Sequence, residues 1–215
     1  MSDRQLTHKE RGIYEDPVEI DPHLWEELAS LHPDEVCVRA EVRYHKDQKC
    51  YLVPFLNKAY ACCPSRRIIE NIKGGHPGNI SFQFYLVLLT YLLRALSLGI
   101  SSSMVTGNEI KGGNFFFKGP HALFTRPLEN RFGHDPKAFL DAGLLLGGKA
   151  TQFGDASFRL WPLPRIPMGY ILWEADEEFP ARLVITFDAH IDKHFPLDVI
   201  WAMVNEVGLM LLKSV

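Results

Sequence analysis

Apolar positions along the chain fall into runs with two different periods, and each change of period marks an element. Residues 1–20 are charged and carry no sustained pattern, which predicts a loosely ordered N-terminal arm. Asp21-Pro22 then supplies a capping carboxylate followed by proline at the first helical position. LWEELASL follows, with Leu24, Leu28 and Leu31 on one face and Trp25 beside them, until His32-Pro33 stops the helix. From Val36 to Tyr44 the period shortens to two: Val36, Val38, Ala40 and Val42 alternate with Cys37, Arg39, Glu41 and Arg43, as on a half-buried strand. Tyr51 to Leu56 and Ala59 to Cys62 read as two further strands, separated by turns at 45–49 and 57–58, so a meander is expected. Pro54 assigns the second of these strands to an edge or a bulge.

Gly74-Gly75-His-Pro-Gly78 reads as a flexible joint. Asn79 or Ser81 caps a long helix running to Leu98 and closed by Gly99. That helix is apolar on nearly every side, which places it between other elements. Residues 100–133 are less regular. Asp135-Pro136 opens another helix, KAFLDAGLLL, ending at Gly147-Gly148, and Phe158 to Leu163 reads as a strand. Ile166 to Trp173 and Leu183 to Phe187 flank a compact acidic connection, Glu174 to Pro180, the pattern of an antiparallel hairpin with a polar tip. Pro196 and Asp198 start a last helix, LDVIWAMVNEVGLMLLKS, with a narrow polar face. Strands, helices, strands and a final helix predict an α+β fold. Residues 21–215 form one domain, with mainly antiparallel sheet (an N-terminal meander and a C-terminal hairpin) packed on several helices, one of them buried at the centre.

Composition narrows the function classes. The 215 residues are 47% hydrophobic and 23% charged, with formal net charge −3 and no basic block, which is not the footprint of a nucleic-acid binder. The uninterrupted apolar part of the central helix, Phe84 to Leu89, is far shorter than the ~20 residues of a membrane span, and Arg94 lies in the same helix. With no apolar signal segment near the amino terminus, the expectation is a cytoplasmic protein without a membrane partner. The four cysteines (37, 50, 62 and 63) form no C-x-x-C pair and are read as small buried hydrophobes in a reducing compartment. On a strand the vicinal Cys62 and Cys63 face opposite sides, against a shared metal site.

Polar side chains concentrate after the hairpin. An extended backbone would aim Asp188, His190, Asp192 and His194 at one face, and carboxylate with imidazole suits a divalent transition metal. Same-face neighbours on a strand are ~6.6 Å apart, so two or three of the four reach one ion. The plain alternative is a solvated strand end. Glu174, Asp176, Glu177 and Glu178 offer oxygen ligands for a hard cation, although charged hairpin tips also serve to discourage edge pairing. Trp173 stands at the base of that tip. Gly112 and Gly113 would let backbone approach a ligand, whereas a helix C-cap accounts for Gly147-Gly148. Arg126 and Arg165 suit bidentate recognition of an anion, or tie loops by hydrogen bonds. No G-x-S-x-G elbow or nucleophile–base pair is present.

Several separated phrases recur in one order: Gly112-Gly113, Arg126-Pro-Leu128, Phe132-Gly133, LGG at 146–148, Gly154-Asp155, LPRIP at 163–167, Leu172-Trp173, DEEFPA ending at Ala181, and Phe187-Asp188. From about Trp25 to the carboxyl terminus the chain resembles domain-of-unknown-function family 3786, a group of bacterial and archaeal domains. The resemblance implies an accessory or ligand-binding role near anaerobic redox or corrinoid chemistry, with a small molecule or a redox or corrinoid protein as partner. Some relatives carry an added cysteine-rich iron–sulfur module. This chain has none, so no iron–sulfur cluster is expected in it. The binding reading places a cleft at the DEEFP connection, the Asp188/His190 strand end and the Gly112 loop. The alternative is a metal-dependent, hydrolytic enzyme using Asp188, His190 and an acidic-tip residue. The sequence leaves ligand, cofactor and oligomeric state open.

Overall fold

Two prolines decide how the described chain begins. A computed structural model describes residues 20–73 and 80–214; the N-terminal arm up to residue 19 and the glycine joint at 74–79 lie outside that range. Pro22 sits in the first turn of α1 (Pro22–Ser30), where the Asp21 carboxylate accepts from the His23 amide, as expected. Pro33 starts a second helix, α2 (Pro33–Ala40), across the stretch expected to be a strand. Asp34 and Glu35 favour its positive end and Arg39 its negative end. The period-two alternation is coincidental: Val36 and Ala40, one turn apart, are buried, while Val38 is 70% exposed.

The predicted meander is present but shifted. β1 (Arg43–His45), β2 (Cys50–Phe55), β3 (Lys58–Cys63) and β4 (Ile68–Asn71) pair antiparallel in chain order. β1 pairs only with residues 50–52 of β2, so Pro54 sits on what is locally an edge. The reading of all four cysteines as unpaired is corrected. Tyr51 stands opposite Cys62, which brings Cys50 opposite Cys63, and these two form a disulfide with a Cα–Cα distance of 4.2 Å. Cys62, with no such partner, is a buried free thiol, and Cys37 is partly buried.

The central helix α3 (Phe82–Arg94) is capped by Ser81, whose hydroxyl accepts from the Phe84 amide at 2.9 Å. Val87, Leu88, Leu89, Tyr91 and Leu92 are fully buried between α1 and α8 (Leu197–Leu212). α3 stops four residues before the expected end because Arg39 donates to the carbonyls of Leu92 and Ala95, and the Ala95 backbone turns extended.

A second antiparallel sheet carries the C-terminal half. Its strands are β5 (Met104–Thr106), β6 (Lys149–Ala150), β7 (Ala156–Leu163), β8 (Ile166–Trp173) and β9 (Arg182–Asp188), in the order β5-β9-β8-β7-β6. The short helices α4 (Gly113–Phe116) and α5 (Arg126–Phe132) and the longer α6 (Pro136–Leu145) connect β5 to β6. α6 starts at Asp135-Pro136 and is closed by Gly147 at φ +89°, both as expected. The two sheets are joined where the Leu56 amide donates to the Pro162 carbonyl at 2.9 Å and Asn57 donates to the Leu145 carbonyl at 2.9 Å. The result is a single-domain α+β fold around one apolar core, and no described helix is long and apolar enough to cross a membrane.

Within that core Phe132, Phe139, Phe158 and Tyr170 follow one another with ring centroids 4.8–5.6 Å apart. The Tyr170 hydroxyl is the one buried side-chain polar atom among the described residues without a hydrogen-bond partner. Tyr170→Phe removes that orphan group while keeping the ring, so chemical denaturation is expected to show equal or higher stability, by up to about 1 kcal/mol. A loss of stability would mean the hydroxyl is satisfied by buried water.

Candidate functional site

The polar run after the hairpin does not continue as a strand. β9 ends at Asp188, the chain turns, and residues 191–194 form the one-turn helix α7 (Ile191–His194). The four side chains therefore part company. Asp188 is 4% exposed; one carboxylate oxygen accepts from the Ser101 amide at 2.6 Å and the other from the His190 amide at 2.8 Å. A His190 ring nitrogen lies 3.2 Å from the Gly99 carbonyl. Buried His194 accepts from the Leu96 amide at 3.3 Å, and the Ala189 amide donates to the Ser103 carbonyl at 3.1 Å. Asp192 points to water beside Lys193. Burial and the nearby Arg165 charge hold the His194 imidazole below its usual pKa, against the pull of Asp188, which suits an acceptor at Nδ1.

Arg165 completes the same clamp. Its Nε donates to the Arg39 carbonyl at 2.7 Å, its terminal nitrogens reach the carbonyls of Leu98 (3.1 Å) and Val38 (3.4 Å), and it pairs with Glu41 at 3.0 Å. Five groups thus hold the irregular connection 96–103 that leads from α3 to β5. Of the expected metal ligands, Asp188 and His190 are engaged in this backbone clamp while Asp192 lies outside it, and Arg165 ties loops through backbone carbonyls and Glu41. No cluster of three or more His, Cys, Asp or Glu able to hold a metal occurs among the described residues.

The acidic tip is a built turn. Asp176 accepts from the amides of Glu178 (2.8 Å) and Phe179 (2.7 Å), an Asx-type closure. The Glu174 amide donates to the Asp155 carboxylate at 2.8 Å, and the Ala175 amide to the Gly133 carbonyl at 2.9 Å. At its base the Trp173 ring stacks under the Arg182 guanidinium, 5.5 Å to the centroid, on a register-paired residue. Glu177 and Glu178 are exposed. Gly112 supplies the left-handed backbone (φ +80°) before α4, and Gly113 serves packing: a Cβ there would lie 2.0 Å from the Gly107 carbonyl oxygen. Neither glycine lines the hollow that adjoins the tip.

A hollow of about 490 Å³ does adjoin the tip, between Ala175, Pro180 and Ala181 on one side and α5 with its C-terminal extension on the other. Arg126, Glu129, Asn130 and His134 supply its polar lining, and successive turns of α5 put the first three on one face. Glu129 is engaged, accepting from the Leu183 amide at 2.9 Å. Arg126 and His134 are exposed and have no hydrogen-bond or ion-pair partner among the described residues. Of this lining the sequence pointed to Arg126 alone. Asn130 and His134 become visible only once α5 is laid beside the hairpin.

Sequence reasoning also missed a second hollow, of about 380 Å³, between β3, the start of α3 and the end of α8. Glu206 opens into it, 9% exposed, with Ser81 donating to one of its oxygens. Desolvation raises its pKa, opposed by Ser81 and by the Lys213 charge. Glu206, a carboxylate amid the apolar middle of the last helix, was the available signal.

A family model described as a domain of unknown function, DUF3786, matches residues 32–209. Neither a curated protein nor a solved structure matches the chain.

Because Asp188 makes two charge-assisted contacts inside the fold, Asp188→Ala is expected to cost about 1.5–3 kcal/mol in urea unfolding. Asp192→Ala, four residues away and solvated, should stay within about 0.5 kcal/mol. Equal effects of the two substitutions would contradict the clamp.

Proposed function

The chain belongs to the DUF3786 family, and from that premise we propose that it is a ligand-binding accessory domain whose site is the hollow between the acidic hairpin and α5. The ligand presents a small anionic group, carboxylate or phosphate, to Arg126 and His134. One observation carries this reading: phrases that mark the family resemblance, far apart in sequence, meet around that hollow. Arg126-Pro-Leu128 forms the start of α5, Phe132-Gly133 its end, Gly154-Asp155 ties the hairpin base, and Pro180-Ala181, the end of DEEFPA, lies in the opposite wall. Most of these contacts hold the walls rather than fill the space. Among the described residues, the lining side chains left without protein partners are the Arg126 guanidinium, suited to planar oxyanions, the Asn130 amide and the His134 imidazole.

Binding is favoured over metal-dependent hydrolysis by what the proposed metal ligands already do. Asp188 has both oxygens hydrogen-bonded to amides, and Asp176 is engaged in closing its own turn. Glu177 and Glu178 do not line the hollow. The partner system in this proposal is the one the resemblance implies, an anaerobic redox or corrinoid-related protein in the cytoplasm.

Amide chemical-shift mapping with inorganic phosphate and with succinate tests the site. Shifts are expected to concentrate at residues 126–134 and 174–181, and Arg126→Ala should weaken binding about tenfold or more while leaving stability unchanged. Shifts confined to other surfaces, or affinity indifferent to Arg126, would remove the proposal.

A further inference from the structure

The second hollow combines features that the fold does not require of one another. Its floor is apolar, formed by Ile80, Phe84, Leu209 and Met210, and Leu209 remains 39% exposed at the opening. Two lysines, Lys58 on β3 and Lys213 at the end of α8, stand at its margin, exposed and without an ion-pair partner among the described residues. Between floor and margin lie Glu206, the Tyr60 hydroxyl and Asn71.

Hydrogen bonding sorts these groups into engaged and open. The Ser81 hydroxyl accepts from the Phe84 amide and donates to Glu206, so both of its roles are filled. The second Glu206 oxygen and the Tyr60 hydroxyl have no protein partner among the described residues, and neither is sealed from solvent. A carboxyl group placed mostly out of water, beside an apolar floor and open on one side, is an expensive arrangement unless something completes it.

We propose that this hollow is a binding site for a small monocarboxylate with an apolar body. The ligand carboxylate lies between Lys58 and Lys213, its hydrocarbon part covers Phe84, Leu209 and Met210, and Glu206 takes up a proton as it binds. The two lysines select an anion and reject an amine. Approach of a second negative charge to Glu206 favours its neutral form, which then donates a hydrogen bond to the ligand instead of repelling it. Tyr60, kept as a phenol by burial and by Glu206 itself, is a second donor. The titratable groups lining the hollow with Glu206 are therefore Lys58 and Tyr60 from β3 and Lys213 from its own helix; β4 and α3 contribute only the neutral Asn71, Ser81 and Phe84.

The sign of the pH dependence follows. Burial raises the Glu206 pKa above its ordinary 4.5 in the free protein, and a bound anion raises it further, so binding takes up protons and affinity falls as pH increases. Octanoate is a suitable probe, with octylamine as the opposite-charge control. Calorimetry in buffers of different ionisation enthalpy should show proton uptake with octanoate and no binding of octylamine, with affinity falling as pH is raised above the ordinary carboxylate range. Glu206→Gln keeps the shape and a donor, so it should bind octanoate with no proton uptake and a flat pH profile. The double substitution Lys58→Ala with Lys213→Ala, both at exposed positions, should weaken octanoate about tenfold or more. Absence of octanoate binding, equal binding of octylamine, proton uptake that persists in Glu206→Gln, or indifference to the lysine pair would each overturn the proposal.

Discussion

The Asp188 carboxylate, buried at the end of β9, is the contact on which the arrangement of the C-terminal half depends. By taking the Ser101 amide it fixes the connection that leads from the central helix to β5. That connection has no regular structure of its own, so its backbone groups need partners and its ordering costs roughly 1–2 kcal/mol of entropy per residue. Asp188, His190, His194 and Arg165 supply those partners from β9, α7 and the β7–β8 turn. With the connection held, β5 can pair along β9 at Val105 and Phe187, and the helices that follow start from a defined point.

One of those helices, α5, reaches the hairpin from the other side. Glu129 accepts the Leu183 amide at the start of β9, and Gly133 takes the Ala175 amide at the tip. β9 is thus anchored by carboxylates at both ends, Glu129 where it begins and Asp188 where it stops. The same geometry explains why the hairpin does not project alone into water. Its walls are tied to Asp155 and Gly133, and a hollow remains between tip and helix. The hollow beneath Glu206 is independent of this device, because it is built from the first sheet and the two long helices.

Much of this fold was legible in the sequence where local and tertiary preferences agree. Asp21-Pro22, Ser81 and Asp135 cap helices as their residue types suggest, and the β7–β8–β9 runs alternate because one face packs on the core. Legibility ended where two periods compete over a short stretch. Val36 to Ala40 satisfies both a strand and a helix, and Pro33 with two acids in the first turn decides for the helix. The strands β4, β5 and β6 are two to four residues long and exist through their partners rather than through pattern. The disulfide depends on the β2–β3 register, which cysteine spacing alone does not contain. For the candidate site, the expected cleft joined the tip to the Asp188/His190 strand end and the Gly112 loop, whereas the hollow beside the tip is lined by α5 instead. Asp188 and His190 look like ligands in sequence because polar alternation cannot distinguish a metal from a backbone amide.

Amide hydrogen exchange on the unmodified protein, with and without a metal chelator, tests the clamp most directly. The amides of Leu96 and Ser101 should be protected to the level of the β9 ladder, and the chelator should leave them unchanged. Rapid exchange at both positions, or protection that disappears when metal is removed, would contradict the account.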